Sequence, residues 1–473
     1  MANPRKLQLA LTIPYIGRTD TAKEPLTPRS TMTDRPESER SAPARRQTTA
    51  AAVIGGGPAG LVAALALAHF EVPTALVAPS AGPLPPSSQL GEATKRASAG
   101  KRGGTDNRTT ALMMPSVKAL EALGVWASCR HCAAPLRVMR IVDDTGRLWR
   151  APEVRFEAAE IGLEAFAWNI ENVHLVAALW DRVAATPSLA HLATAATSLS
   201  VGQSGVSATL ADGARLDCLI AVGADGRNSI CRTTAGIPLE CSTYAQTALT
   251  FTLTHARPHH DISTEFHTAQ GPLTLVPLPG PRSSLVWVVA NDEAERLCAL
   301  APAALDAEIE RRSHSILGKM HVEPGHGAFP VSIATAGRFA VNRIALVGEA
   351  AHLFPPIGAQ GLNLSVRDAI AIAEIAGDIY CRGGDLADAI AVYDRRRRAD
   401  IASRSIAVDL LNRSLLSDFL PVQGLRGLAL YALGRIGPLR RAAMREGVAP
   451  RIGLPALMGG EKKFARGRRT EIR

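Results

Sequence analysis

Residues 343–369 read Arg-Ile-Ala-Leu-Val-Gly-Glu-Ala-Ala-His-Leu-Phe-Pro-Pro-Ile-Gly-Ala-Gln-Gly-Leu-Asn-Leu-Ser-Val-Arg-Asp-Ala, and the organisation of the chain can be worked out from them. The apolar run Ile344–Val347 predicts a short buried parallel strand. A loop follows, and from Ala359 the apolar residues recur at helical spacing. Gly358 and Gly361 leave the first helical turn without side chains. Because a helix start offers unpaired N–H groups and partial positive charge, this segment suits an anion or a ring that becomes anionic on reduction.

The same stretch resembles the second flavin-binding motif of the FAD-dependent aromatic-ring hydroxylases, the p-hydroxybenzoate hydroxylase type of monooxygenase. That motif reads Gly-Asp-Ala-Ala-His, then Pro-Pro, then Gly-x-x-Gly-Leu-Asn. Glu349 stands where the family usually has an Asp that holds the flavin ribityl chain. The alternative, a tight turn without a ligand, is disfavoured because the motif lies between a predicted strand and a predicted helix. The resemblance implies flavin contacts at Gly348, Glu349, Gly358, Gly361, Leu362 and Asn363.

The resemblance also implies which residues lie near the reacting atoms. It places Pro355 and Pro356 beside the oxygen-transfer site. His352 is a tempting acid or base, but the family pattern favours a structural hydrogen bond near the flavin over direct proton transfer.

An earlier glycine-rich turn carries a second motif. Gly55, Gly57 and Gly60 follow the predicted strand Ala51–Ile54 and open an apolar helix. Gly-x-Gly-x-x-Gly in this setting predicts a dinucleotide site, with glycines for the turn, the close approach of a pyrophosphate, and helix–strand packing. The next strand ends at Ala78 instead of the usual acidic residue, so the ribose contact is expected elsewhere. No second such motif follows a strand, so a nicotinamide donor is expected to bind without a nucleotide domain of its own.

Two further segments extend the resemblance. Arg108-Thr-Thr-Ala-Leu before a predicted helix resembles the branch that hydroxylates ubiquinone precursors, in which this Arg lies against the flavin; a solvated loop Arg is the alternative. Gly-Ala-Asp225-Gly226-Arg-Asn-Ser resembles the family's Asp-Gly motif, which contacts the pyrophosphate region and guides the nicotinamide donor. Such a turn is common in any fold, but its position between the other motifs favours the functional interpretation.

These motifs predict an α/β fold with a Rossmann-like FAD-binding domain, an interleaved β-sheet substrate domain and a C-terminal helical segment. Alternation of apolar and polar residues in 243–290, with Phe251 as an example, predicts sheet strands, and few charges on them suggest a roof over an apolar pocket. The predicted boundaries are a disordered basic tail at 1–48, FAD-binding parts at 49–135 (with a flexible loop at 79–107), 171–235 and 331–394, substrate parts at 136–170 and 236–330, and a basic helical region at 395–473.

Local patterns predict further elements. They are a hairpin of 206–210 with 215–222, helices at 305–316, after Asp368 and at 388–418, the last with Arg395 to Arg398 on or near its surface, and a basic amphipathic helix at 423–445.

Composition limits the function classes. The 473 residues are 47% hydrophobic and carry a formal charge of +10, but residues 395–473 hold 18 Lys and Arg against 6 Asp and Glu. The rest of the chain is therefore nearly neutral, and with few aromatics and no nucleic-acid motif, DNA or RNA binding is not expected. The basic amphipathic helix indicates either membrane-surface binding or packing on the body with a solvated basic face. Neither a transmembrane helix nor a signal peptide is expected.

Cysteine and histidine patterns favour simple interpretations. Seven irregularly spaced cysteines indicate reduced thiols in a cytosolic setting. Cys129-Arg-His-Cys132 has metal-like spacing, but without a second pair two ordinary thiols are favoured. His259, His260 and His267 lack a ligand pattern and are expected to be solvated loop histidines.

The family resemblance, which covers residues 51 to about 445 apart from the 79–107 loop, implies the chemistry. Members of the family bind FAD, which is reduced by NAD(P)H or, in some members, by a ferredoxin. The reduced flavin reacts with O2 to give a C4a-hydroperoxide, which hydroxylates an electron-rich phenol.

The substrate implied by the resemblance is a polyprenylated phenol in ubiquinone biosynthesis. The implied location is cytoplasmic, peripheral to the bacterial inner membrane, with a biosynthetic complex left open. Alternatives are a hydroxylase of another aromatic compound, a polyprenyl reductase or epoxidase, and a non-catalytic flavoprotein scaffold.

Overall fold

The computed structural model describes residues 46–79, 108–146, 152–355, 359–416, 435–448 and 454–459, with side chains described in these ranges except at 402–416. Several predicted features lie outside the described residues. They are the tail up to residue 45, the loop from residue 80 to 107, Pro356, Gly358, the last two residues of the helix predicted at 388–418, and residues 423–434 of the helix predicted at 423–445.

Within these ranges the chain forms nineteen strands and ten α-helices. The strands are β1 Arg46–Ile54, β2 Thr74–Val77, β3 Thr109–Met113, β4 Ala133–Leu136, β5 Val138–Asp143, β6 Val154–Glu157, β7 Ala167–Glu171, β8 Leu189–Leu192, β9 Ala196–Val201, β10 Val206–Leu210, β11 Arg215–Gly223, β12 Leu239–His255, β13 Ile262–His267, β14 Pro272–Leu278, β15 Arg282–Ala290, β16 Met320–Ala336, β17 Ala340–Val341, β18 Ile344–Leu346 and β19 His352–Leu353. The helices are α1 Pro58–His69, α2 Met114–Ala122, α3 Trp126–Cys129, α4 Asn172–Ala184, α5 Ile230–Thr234, α6 Asn291–Cys298, α7 Pro302–Arg312, α8 Gln360–Cys381, α9 Ala387–Leu416 and α10 Gly437–Val448.

The first sheet is mainly parallel, in the order β17-β18-β11-β1-β2-β8, with β10 and β9 added beside β11. Its central strand β1 pairs in parallel with β11 on one side and β2 on the other. Ala51, Ala52 and Val53 are fully buried, as expected for a strand covered on both faces. Helices α1 and α8 pack against each other beside this sheet. Because β1, β11 and β18 are parallel neighbours, the loops that carry the three predicted cofactor motifs leave the same edge of the sheet.

The second sheet is mostly antiparallel, in the order β19-β16-β12-β15-β14-β13-β5-β6. Alternate residues of β12, namely Leu249, Phe251 and Leu253, join one buried apolar cluster together with residues of α6 and α7. This arrangement confirms the strand interpretation of the alternating pattern. Strand β19 pairs with β16, so the residues that follow His352 lie at the edge of this sheet.

A third, three-stranded sheet has the order β3-β7-β4 and contacts the second sheet. Thr109 Oγ1 donates to Ser284 Oγ at 2.9 Å, and the buried Asn169 Nδ2 donates to Pro277 O at 2.9 Å. These bonds connect the third sheet to β14 and β15. The predicted domain boundaries stay predictions.

Three local predictions were wrong. The helix predicted at 305–316 ends at Arg312, because His314 and Ser315 adopt positive φ angles of 54° and 48° that an α-helix does not allow. Neither His259 nor His267 is solvated: the His259 ring bonds to Leu278 O at 3.0 Å, and the buried His267 bonds to Glu265 at 2.8 Å.

Arg395 to Arg398 were predicted to lie on or near the surface of their helix. This prediction was wrong for Arg397, which is 2% exposed. The predicted hairpin is confirmed as β10 and β11. None of the helices in the described ranges is both long and apolar enough to cross a membrane.

Candidate cofactor and active site

Two of the motif glycines are required by the packing of the protein itself. Gly55 has φ +117°, and a Cβ built on it would lie 2.3 Å from the carbonyl oxygen of Ala224. A Cβ on Gly60 would lie 2.0 Å from the carbonyl oxygen of Gly55. Both distances are far inside van der Waals contact, so neither position accepts a side chain even without a ligand.

Gly57 and Gly361 are different, because a Cβ on either would meet no atom within 4 Å in the described part of the chain. Each lies at the start of a helix, Gly57 as the N-cap of α1 and Gly361 in the first turn of α8. The N-cap of α8 is Ala359, so neither N-cap has a side chain that can bond the free N–H groups, and neither first turn contains an acidic residue. Open space beside a helix start, where N–H groups have no acceptor within the helix, fits the phosphate and ring oxygens of FAD.

The Asp-Gly turn lies at the end of β11. Asp225 Oδ2 accepts from the N–H of Cys231 at 3.1 Å, while Asp225 Oδ1 is buried and has no hydrogen-bond partner among the described residues. Gly226 has φ +76°, which permits the tight turn. A buried carboxylate oxygen without a partner is unfavourable unless something else bonds it, and a cofactor hydroxyl or water would do so.

The Asp-Gly turn and the second flavin motif meet through an ion pair. Arg227 Nε donates to Glu349 Oε2 at 3.0 Å, and both side chains are about half exposed. The carboxylate of Glu349 therefore already has Arg227 as a partner. Its predicted contact with the ribityl chain of FAD stays a prediction. Gly348, one residue earlier, has φ +62°.

His352 belongs to a buried polar network. Its Nε2 lies 2.6 Å from Asp368 Oδ2, which also accepts from the N–H of Gly348 at 3.1 Å. Asp368 Oδ1 accepts from Arg397 Nε at 2.7 Å, and Arg397 also pairs with Asp400. Burial alone would raise the pKa of Asp368, but the Arg397 and His352 side chains outweigh it and hold that pKa below its ordinary value. The network fixes the His352 ring and the backbone of the second flavin motif together.

Asn363 connects α8 to the segment that follows Arg108. Its Nδ2 donates to Ala111 O at 2.8 Å and to Ala359 O at 2.6 Å. Its Oδ1 accepts from the N–H of Met113 at 2.8 Å and from Ser116 Oγ at 2.7 Å. Protein groups take all four hydrogen bonds of the Asn363 side-chain amide. Any hydrogen bond between Asn363 and FAD must therefore be made by its backbone.

The remaining predicted residues lie around the same region. The guanidinium carbon of Arg108 is 5.6 Å from the centroid of the Phe329 ring on β16, a cation–π distance. Leu362 is partly buried in the first turn of α8, and Pro355 is buried directly after β19. Among the described residues, no group of three or more His, Cys, Asp or Glu side chains is arranged to hold a metal ion.

Asp368 and Arg397 are functional candidates that the sequence analysis missed. A signal for Arg397 was present, because the buried positions Ile390, Tyr393, Arg397 and Ile401 of α9 follow a 3–4–4 spacing. Arg397 therefore lies on the inward face of the helix, where a buried charge requires a partner. The sequence analysis named the partner, Asp368, only as the residue that precedes a predicted helix and gave its carboxylate no role.

Comparisons with known proteins agree with this arrangement. The protein family described as the FAD binding domain matches residues 48–404. A ubiquinone hydroxylase of Rhodospirillum rubrum is 32% identical over 396 residues, which cover 83% of this chain and 88% of that protein. The 3-demethoxyubiquinol 3-hydroxylase of Escherichia coli is 29% identical over 405 residues, 84% of this chain and 98% of that protein. The crystal structure of p-nitrophenol 4-monooxygenase from Pseudomonas putida superposes with a TM-score of 0.66 at 18% identity, covering 88% of this chain and all of that one. The predicted fold class and family are thereby confirmed.

Proposed function

Because this chain belongs to the FAD-binding domain family and is an FAD-dependent monooxygenase, we propose that it hydroxylates the aromatic ring of a polyprenylated phenol in ubiquinone biosynthesis. The observation that carries the proposal is the similarity to two ubiquinone-pathway hydroxylases over more than four fifths of the chain. NAD(P)H is the proposed reductant, with a reduced ferredoxin as the alternative.

The motif residues have distinct roles in this proposal. FAD, when bound, supplies the activation of O2 and the transfer of one oxygen atom to the substrate. Gly57 admits the pyrophosphate to the start of α1, and the uncapped start of α8 stabilises negative charge on the ring. His352 is held by Asp368 at 2.6 Å and acts as a positioning residue for the loop between β18 and α8. Pro355 is proposed to line the oxygen-transfer site.

The second sheet offers a face for an aromatic substrate. Ala248, Val288 and Val331 are themselves buried in this sheet, whereas Phe329, beside Ala248 in the register, is partly exposed and lies under Arg108. Apolar walls exclude water, which protects a reactive oxygen donor from side reactions. A phenol ring packs well against such a surface.

Deletion of this chain from its host is expected to accumulate a ubiquinone precursor that lacks one ring oxygen, as measured by mass spectrometry of extracted quinones. The purified protein with FAD and a reductant is expected to convert that precursor to a product heavier by one oxygen atom, taken from labelled O2. An unchanged quinone profile together with hydroxylation of a soluble phenol would assign the enzyme to another aromatic substrate. Bound FAD without oxygen transfer to any phenol would favour the non-catalytic scaffold.

We place membrane contact at the outer face of α10. Ile436, just before α10, and Leu439, in its first turn, are 50% and 47% exposed, and the same segment carries the exposed Arg435, Arg441 and Arg445. Other residues of α10 anchor it to the body: Met444 is buried, and Arg440 Nε donates to Glu160 Oε2 at 2.8 Å. Two exposed apolar side chains in a segment rich in arginine suit the interface of an anionic bilayer, from which an insoluble phenol would be drawn.

Replacing both Ile436 and Leu439 with Glu is expected to weaken sedimentation with anionic vesicles by about tenfold or more, because two apolar contacts are lost and negative charge is added. FAD content should not change. The matched control is Val201→Glu with Leu219→Glu, two side chains 37% and 42% exposed elsewhere on the surface. Equal vesicle binding of the two double variants would rule out α10 as the contact.

A further inference from the structure

Four partly exposed residues lie in one row across one face of the second sheet. They are opposite one another on adjacent strands, namely Gly327 on β16, Thr250 on β12, Val286 on β15 and Thr274 on β14. Residues that are opposite one another on neighbouring strands share a face of the sheet. Because such strands are about 4.8 Å apart, the stretch from Gly327 to Val286 is about 10 Å wide, enough for one substituted benzene ring.

The neighbouring positions of β12 and β15 on this face are covered. Ala248 and Val288, on one side of the row, are fully buried, and Thr252 and Ser284, on the other side, are 5% and 3% exposed. Ser284 Oγ accepts from Thr109 Oγ1 of β3 at 2.9 Å, so the third sheet packs against that side. The row is therefore an open strip between covered positions of the same two strands.

Phe329 and Arg108 mark the Gly327 end of the row. Phe329 follows Gly327 by two residues on β16 and so shares its face. A Cβ built on Gly327 would lie 2.4 Å from Cε2 of the Phe329 ring and 2.6 Å from Thr250 Oγ1. The edge of the ring and the hydroxyl group therefore both point into the space over this glycine. The guanidinium carbon of Arg108, which the family resemblance places against the flavin, is 5.6 Å from the centroid of the same ring.

The Thr250 hydroxyl is a polar group available at this end. Neither a side chain nor a carbonyl group of the described residues makes a hydrogen bond with it. By contrast, Thr247 Oγ1, on the opposite face of the same strand, donates to Asn291 Oδ1 at 2.9 Å. A hydroxyl group beside an aromatic ring and an apolar side chain, Val286, matches the two parts of a phenol, its O–H and its ring.

We propose that Thr250 is a specificity-determining residue whose hydroxyl oxygen accepts a hydrogen bond from the phenolic O–H of the substrate. This inference rests on the proposed function, which makes the substrate a phenol. The aromatic ring lies on the row between Phe329 and Val286, and its faces and edges contact apolar groups. One directional hydrogen bond then fixes how the ring is turned on the sheet and thereby which ring carbon is presented for hydroxylation.

Titration of the FAD-loaded full chain with ortho-geranylphenol, a phenol with a short prenyl chain, tests this role. The visible absorption of the bound FAD gives the Kd. Thr250→Val keeps the branched shape that suits a strand and removes the hydroxyl, so the Kd for the phenol should rise about tenfold while FAD content stays unchanged. Thr250→Ser, which keeps the hydroxyl, should restore most of the affinity. The methyl ether of ortho-geranylphenol has no O–H to donate and should bind equally to the unaltered chain and to Thr250→Val.

Thr274→Val is the matched control, because Thr274 is a partly exposed threonine in the same row but lies two strands away from Thr250. Its Kd for the phenol should equal that of the unaltered chain. An unchanged Kd in Thr250→Val, or an equal loss of affinity for the phenol and its methyl ether, would overturn the proposal. Failure of the proposed function would look different: the unaltered chain would bind unsubstituted phenol but not ortho-geranylphenol, and the same Thr250 comparison would then be made with phenol and anisole.

Discussion

Replacing Gly57 with valine is expected to remove FAD from the protein while leaving the stability of the folded chain nearly unchanged. The φ of Gly57 is −73°, which any residue adopts, and a Cβ there meets no described protein atom within 4 Å. The added side chain would instead fill the space through which the backbone approaches the pyrophosphate. We expect the Kd for FAD to rise by about 100-fold or more, measured by fluorescence titration of the apoprotein, with little change in its Tm.

Gly60→Val is the matched control, because its Cβ would lie 2.0 Å from the carbonyl oxygen of Gly55. This variant should destabilise the apoprotein, whereas Gly57→Val should not. If Gly57→Val binds FAD as tightly as the unaltered chain, the pyrophosphate does not lie at this turn.

Replacing Asp368 with asparagine is expected to lower the free energy of unfolding by about 3 kcal/mol or more, because it leaves the guanidinium of Arg397 buried with its main charge partner removed. The amide of asparagine has nearly the shape of the carboxyl group. The loss of stability therefore measures the removal of a charge and not the creation of a cavity. Chemical denaturation of the apoprotein at neutral pH measures it.

The effect of this substitution should depend on pH. The pKa of Asp368 in the folded protein is below its ordinary value of 3.8, so the carboxylate stabilises the fold fully above pH 3.8. That contribution is lost as the pH falls through the lower pKa of the folded state. The difference between Asp368→Asn and the unaltered chain should therefore be constant at neutral pH and shrink in strong acid.

Asp378→Asn serves as the control on the same helix. Asp378 pairs with Arg382 at 2.6 Å, four residues on, and that arginine is 63% exposed. A surface pair of this kind contributes about 0.5 kcal/mol. A cost for Asp368→Asn no larger than that for Asp378→Asn would contradict the role assigned to the buried network.

Elements with a local signal were predictable from the sequence. The predicted strand at Ile344 and the helix after it appear as β18 and α8, because a short apolar run and a helical period are properties of adjacent residues. The hairpin of β10 and β11 was predictable for the same reason, since its turn is encoded by Ala-Asp-Gly.

Features that depend on distant partners were not predictable. Strand β16 runs for 17 residues through Pro324 and Gly325, residues that argue against a strand when read locally. It forms because β12 pairs along it, with irregular register between Phe251 and Leu253. The contact of Asp368 with Arg397, 29 residues apart on two helices, likewise arises only after α8 and α9 pack together.

The parallel sheet has a consequence for biosynthesis of the protein. Strand β1 lies between β2 and β11, and β18, from a third and much later segment, pairs with β11 on its other side. On the ribosome, the glycine turn at Gly57 is therefore made long before the helix start at Gly361, which is proposed to face the same ligand. Met458, near the C-terminus, is also buried in the same core. A nascent chain thus cannot enclose a cofactor between these two helix starts until the segment that carries Gly361 has been synthesised.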